Sequence, residues 1–426
     1  MGIFCHTVAV LALIGCGDGG FRTLQSAPEL ASSTTSTPSD PLDGSEPPLP
    51  ENPVEHPEEP VTPTQPPDYN SDILTRVGLK LGPRGNSTCQ LQPPLIPAFD
   101  KPGDGANVLK VCQDSGCPYQ TISAALAAAP AGSVIAVKAG TYNECVRIRK
   151  NSITVQGRGG RPLIQASSCS DSKAIVIEVA ASDVKLENLE VTDPTGDSAT
   201  GVFLSKTGGN LNVSNLFIHH AQTGLSTVVG AGHVVVTSSY FDHLGHMYGT
   251  DLHTTSGLRV NLESLSAEIN NVTITHPKQQ GRPLFAAAYK NTINCVVAAD
   301  LEGGLSQHLM MFTYGFDVAV SNSVLQRGPL SLAQMLVYWE RHPAPVPDRF
   351  TATNNVFISD RPDENKYMLY NQSPMIPAAY TNNVFIGSGS AASAGRVPNS
   401  FAFESREAAG LGDDTLPYPG TTIESP

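Results

Sequence analysis

"KLENLEV", residues 185–191, returns with the same skeleton as "NVSNLFI" at 212–218, "EINNVTI" at 268–274, "AVSNSVL" at 319–325, "TATNNVF" at 351–357 and "AYTNNVF" at 379–385. The shared phrase is an apolar residue, any residue, asparagine, any two residues, and a second apolar residue. Aligned on it, the chain gives a column at Gly157, Asn188, Asn215, Ser238, Asn271, Cys295, Asn322, Asn354 and Asn382, in steps of 23 to 33 residues. Short β-branched runs repeating at that period mark a solenoid whose coils stack strand upon strand. Asparagine suits a tight corner, because its amide bonds to its own backbone and to its equivalents above and below. Three residues past the column stand Val191, Ile218, Phe241, Ile274, Ala298, Leu325, Phe357 and Phe385. All are apolar, so they are expected to form one wall of a core.

What precedes the repeat has a different character. Residues 1–16, "MGIFCHTVAVLALIGC", hold about ten apolar residues, too few to span a bilayer, and read as a signal peptide. The small residues before Cys16 resemble the lipobox of bacterial lipoproteins, which makes Cys16 the candidate lipidation site. The implied location is the bacterial cell envelope, on a membrane or outer surface, with the lipid as sole membrane contact. Residues 17–78 read as a disordered Pro/Ser/Thr/Glu-rich stalk carrying a net charge of −9 of the chain's −13. That leaves −4 for the rest, a folded domain at 79–412 and a flexible tail at 413–426. A mildly acidic domain excludes nucleic acid as a partner, which wants a basic face. A monomer is expected.

Six cysteines follow the stalk, an even number that fits an exported, disulfide-bonded chain; Cys112–Cys117 and Cys145–Cys169 are the nearest pairs. Residues 119–129, "YQTISAALAAA", form an apolar helical run closed by Pro130, and "AGSVIAVKAGTY" follows as strand and turn.

Nine of the eleven histidines lie between His219 and His342. Counting five past the column gives Asp193, His220, His243, His276, Asp300 and Arg327, equivalent places in six consecutive coils about 4.8 Å apart. His219, Asp242, His246, Tyr248, Lys278, Arg282 and Glu302 lie beside that row. Such a row offers a general base (His220, His243, His276, with Arg327), contacts to a saccharide (His246, Tyr248, Lys278, Arg282), or a metal site, with Asp300 and Glu302 as carboxylate ligands and Ca²⁺ as one candidate. Mutual repulsion would keep the imidazoles neutral near pH 7. Strict alternation, however, points the fifth position inward, so a purely structural role for the row stands beside the functional one. Tyr314, Tyr338 and Trp339 are either a platform for sugar rings or core fillers.

The repeat, the helical run and "SVIAVKAGTYNECVRIRKNSITVQGRG" together resemble the right-handed parallel β-helix of the pectate-lyase-like superfamily over residues 108–390. The resemblance implies an all-β solenoid of about nine coils with an N-terminal capping helix, and a polysaccharide or cell-surface glycan as partner. Activity is less determined, because the architecture hosts lyases, hydrolases, esterases and non-catalytic adhesins. A closer resemblance is to a bacterial β-helix family of unassigned role, carried by "GHMY" (Gly245, His246, Tyr248), "SVLQRGP" (Gln326, Gly328, Pro329) and "VYWE" (Tyr338, Glu340). That family's Lys-Ser-Arg aligns with Phe285, Ala286 and Ala287, and Arg282 and Lys290 replace it imperfectly. Two readings follow: a polysaccharide lyase or hydrolase, and a non-catalytic glycan-binding or adhesion protein.

Overall fold

The computed structural model describes residues 73–91, 94–166, 169, 175–193, 200–245, 256–261, 263–278, 281–301, 306, 308–313, 317–331, 334–339, 349–362, 367–372, 378–393 and 397–423. Three long sheets, of eleven, eleven and ten strands, are parallel throughout. The coil around Asn215 shows how they connect. Leu211–Ser214 lies in sheet 1, Phe217–Ala221 in sheet 2 and Thr223–Thr227 in sheet 3. Each then pairs with its equivalent one coil later, at His233–Thr237, Tyr240–Leu244 and Ser256–Val260. The result is a parallel β-helix.

The asparagine column is the corner between sheets 1 and 2. Every member from Asn188 to Asn382 has a positive φ, between 47° and 57°, a region that asparagine enters more readily than most side chains. Gly157 differs: it continues the strand Thr154–Arg158, and a Cβ there would lie 2.1 Å from the Asn188 carbonyl oxygen. The amides form short ladders instead of one long one. Asn215 Nδ2 donates to Asn188 Oδ1 at 2.8 Å, and Asn354 Nδ2 to Asn322 Oδ1 at 3.4 Å. Ser238 and Cys295 interrupt them. The wall predicted from Val191 to Phe385 is in register through every coil, and all eight side chains are buried in the main core. The helix Ile122–Ala128, N-capped by Thr121 Oγ1, sends Ile122, Ala125 and Leu126 into the same core.

Two boundaries move. Residues 73–78, expected in the stalk, are folded: Ile73, Leu74 and Val77 pack with Phe217, Tyr240, Val297 and Val324 on the outer face of sheet 2. Residues 413–426, expected as a flexible tail, include Thr415–Leu416, which pairs in parallel with Lys80–Leu81. Leu416 and Tyr418 are buried, and the Tyr418 hydroxyl accepts from Leu91 N at 2.9 Å. Alternation accounts for both changes, since Phe217, Tyr240, Val297, Val324, Val356 and Val384, outward at the second position past the column, leave an apolar face that water does not solvate well. Disulfides join Cys112 to Cys117, Cys145 to Cys169, and Cys89 to Cys295 across 206 residues. The last fixes the N-terminal segment to the corner column.

At the start of sheet 3 the backbones approach closely. A Cβ on Gly224 would lie 2.4 Å from the Gly257 oxygen and within 2.7 Å of Leu244 and Phe241 side chains. Gly224→Ala is therefore expected to lower stability by about 3 kcal/mol, read as an earlier urea midpoint at unchanged slope. Gly105→Ala, with nothing within 4 Å, should cost nothing.

Candidate functional site

The second corner, between sheets 2 and 3, carries the histidines. In Phe217–Ala221 the sequence alternates: Phe217 packs outside, Ile218 is core, and His219 is outside. A fifth residue in extended conformation would turn inward. His220, His243 and His276 instead have φ of 48°, 48° and 47°, so each turns out of the alternation, and the next residue, Ala221 or Leu244, returns to the core. The three rings stack in a column. Centroids are 5.0 Å apart at 3° between His220 and His243, and 4.6 Å at 19° between His243 and His276.

Two carboxylates order the column. Asp242, buried, accepts from His243 Nδ1 at 2.9 Å on Oδ2, and on Oδ1 from His276 Nδ1 at 2.7 Å and Thr275 Oγ1 at 2.8 Å. An ionised carboxylate only accepts, so both rings carry their proton on Nδ1 and their basic atom is Nε2. Burial alone would raise the Asp242 carboxyl, but the two imidazole donors overcome it and hold it far below the usual range.

Glu190 does the same at the other end. Arg76 grips it with both guanidinium ends, at 2.9 and 3.2 Å, while stacking over Phe217 at 4.6 Å. His219 Nε2 donates to Glu190 Oε1 at 3.0 Å. His219 Nδ1 is then the acceptor, and takes the Nδ1 proton of His220 at 2.9 Å. The basic atom of His220 is therefore Nε2, on a ring that faces solvent. Partial burial, followed by the neighbouring His219 and His243 charges and by Lys278, lowers the His220 pKa against the opposing pull of Asp242. Despite the burial opposing it, Glu190 is lowered to about 2 by His219 and Arg76.

The other expected site residues separate from this column. Asp300 is buried, its Oδ2 accepting from Ser306 and Ser331 hydroxyls at 2.8 and 2.6 Å. Arg327 is buried and directed into later coils, to Ser359 Oγ at 2.7 Å and the Ser388 carbonyl at 3.2 Å. Neither joins the histidines, because neither takes the left-handed backbone that His220, His243 and His276 share. Tyr338 is a core filler stacked on Phe350 at 5.0 Å. Trp339 packs on the outer face of sheet 3 with Phe285, Ala287, Met311, Val337 and Tyr370. Arg282 is buried, 5.9 Å from the centre of the Phe285 ring, and Lys290 lies in sheet 1. Lys278 stays near His220. His246, Tyr248, Glu302, Tyr314 and Cys16 lie outside the described residues.

Sequence reasoning missed Glu190, Arg76 and His308. Glu190 was legible as a charge on an otherwise apolar outward position; Arg76 lay hidden in the supposed stalk. His308 is lowered to about 4 by burial and the charge of Arg282. The column does not fit Ca²⁺, which takes six to eight oxygens; it offers imidazoles and one carboxylate. Cys112, Asp114 and Cys117 also converge, but both cysteines are in a disulfide.

No protein family and no curated protein matches the chain. Among solved structures it is similar to pectate lyase Pel9A, at 16% identity and a TM-score of 0.50, over 68% of this chain and 79% of that one. It is also similar to an alginate lyase from Paenibacillus sp. str. FPU-7 (14%, TM-score 0.39, 70% and 99%) and a pectin methylesterase from Aspergillus niger (12%, TM-score 0.34, 76% and 90%). The chain is a right-handed parallel β-helix. At these identities the likeness extends to fold alone.

The lowered groups make stability depend on pH in two windows. His308 loses its proton more readily folded than unfolded, so its contribution is complete above about pH 6.5 and is lost as pH falls toward 4. Glu190 holds its charge more tightly folded, so its contribution is complete above about 4.5 and is lost toward 2, with Asp242 adding to that lower step. Each step is on the order of 3 kcal/mol. Urea midpoints against pH should show both, with the upper step smaller in His308→Gln and the lower in Glu190→Gln. Stability that rises between pH 6.5 and 4 would contradict the assignment.

Proposed function

We propose that the chain is an exported polysaccharide lyase acting on uronic-acid glycans, with His220 Nε2 as the general base. One observation carries this reading: the chain Arg76–Glu190–His219–His220 fixes each tautomer in turn and ends on a solvent-facing imidazole whose pKa is lowered. A base of that kind is neutral at pH 7, as proton abstraction requires. In β-elimination, Nε2 takes the proton from the carbon next to the uronate carboxylate. The electron pair forms a carbon–carbon double bond, the bond to the glycosidic oxygen breaks, and that oxygen takes a proton from water. Lys278 is the cation beside His220 suited to the uronate charge.

Hydrolysis fits the column poorly. It needs a carboxylic acid kept protonated to serve the leaving group, or a pair of carboxylates across the bond. Glu190 and Asp242 are both held ionised, and Asp242 is enclosed by its two histidines. The outer face of sheet 2 is covered by the chain's own ends, so glycan would run along the corner and sheet 3. The apolar strip there, with Trp339 and Tyr370, supports a second reading, glycan retention without turnover. Export is supported by three disulfides and by the apolar start of the chain; lipid anchoring at Cys16 belongs to the same proposal.

The test incubates the full chain with polygalacturonate, alginate and a neutral glucan, following reducing ends and the ultraviolet absorbance of unsaturated sugars. Both signals are expected on an acidic glycan. His220→Ala should lower kcat/KM by about 100-fold or more without changing the melt, and the acid limb of the wild-type rate should fall below pH 6.5. Reducing ends without absorbance would make it a hydrolase, and retention without turnover would favour the binding reading.

A further inference from the structure

We propose that Asp242, His243 and His276 form a binding site for one divalent transition-metal ion of the zinc class. The site lies in the same column as the proposed base but does not depend on its activity. Its ligand atoms all lie within 4.8 Å of one another. The two Nδ1 atoms sit 2.9 and 2.7 Å from the carboxylate oxygens, hydrogen-bond distances that open toward about 3.4 Å, the spacing of neighbouring tetrahedral ligands with bonds of roughly 2.1 Å, when an ion replaces the two protons.

The parts are arranged as a metal site usually is. Both rings turn Nδ1 to the same carboxylate, and Thr275 Oγ1 holds that carboxylate at 2.8 Å from the adjoining strand, a supporting bond of the kind that orients ligands. His243 and His276 come from consecutive coils with the same left-handed backbone, so their positions are set before any ion arrives. On binding, each Nδ1 gives its lone pair to the metal and the ring proton moves to Nε2, so neither imidazole changes charge. Two imidazoles and a carboxylate select zinc, cobalt, nickel, copper or iron over calcium and magnesium. His220, third in the stack, is tied through Nδ1 to His219 and is not a ligand.

The full chain, stripped with chelator, is titrated with Co²⁺ and followed by visible absorption, then competed with Zn²⁺. The expected result is one Co²⁺ per chain, displaced by Zn²⁺ and not by Ca²⁺, with affinity lowered at least 100-fold in His276→Ala and in Asp242→Asn. His233→Ala, a solvent-facing histidine on sheet 1, should bind like wild type. Circular dichroism separates loss of binding from loss of fold. If His276→Ala unfolds, His243→Ala in a folded chain decides. Unchanged affinity in a folded site variant, or no binding by wild type, overturns the proposal. The measurement uses no glycan, so its failure is distinct from failure of the lyase reading.

Discussion

A single backbone feature underlies the site: the left-handed residue at the second corner. A strand that leaves sheet 2 in extended conformation would bury its fifth side chain, and an imidazole there would be a desolvated core group. With φ near 48° at His220, His243 and His276, the chain inserts one residue between two inward positions and places it outside. Because coils repeat at strand spacing, three such insertions in succession stack three rings. Histidine tolerates this conformation better than β-branched or bulky residues do. Gly387, at the same position in a later coil, has φ of 85°, whereas Asp193, Asp300, Arg327 and Ser359 there do not take a positive φ, so the conformation is set coil by coil.

The outer face of sheet 2 connects that corner to the ends of the chain. Residues 73–91 and 401–423 cover it, and the Cys89–Cys295 disulfide, closing 206 residues, fixes the cover, with a stabilisation of about 5 kcal/mol in the chain-entropy view. The cover also carries Arg76, which sets Glu190 and, through it, His219 and His220. The order of the proposed base thus depends on a segment more than a hundred residues away in sequence.

The fold was legible because one physical demand recurs in every coil. A corner needs a residue that accepts positive φ, and a core needs an apolar residue three places on; together they write Asn188 and Val191, Asn215 and Ile218, Asn354 and Phe357 in register. The candidate site was half legible. The same count located His220, His243 and His276, but the rule of alternation pointed them inward, since nothing in the residue types announces a second left-handed corner. Arg327 and Asp300 share the count and not the conformation, so they face other partners. Arg76 was out of reach, because it lies within residues 17–78, whose composition reads as disordered, and nothing there signals that Ile73–Arg76 packs on sheet 2.

The most direct measurement is long-range proton–nitrogen correlation NMR of the histidine side chains in the chelator-treated full chain at pH 7.5. The expected result is a hydrogen-bonded proton on Nδ1 of His243, His276 and His220, and on Nε2 of His219, with the His219 signal lost in Glu190→Gln. Nε2 protons on His243 and His276, or rings that tumble as free imidazoles, would contradict it.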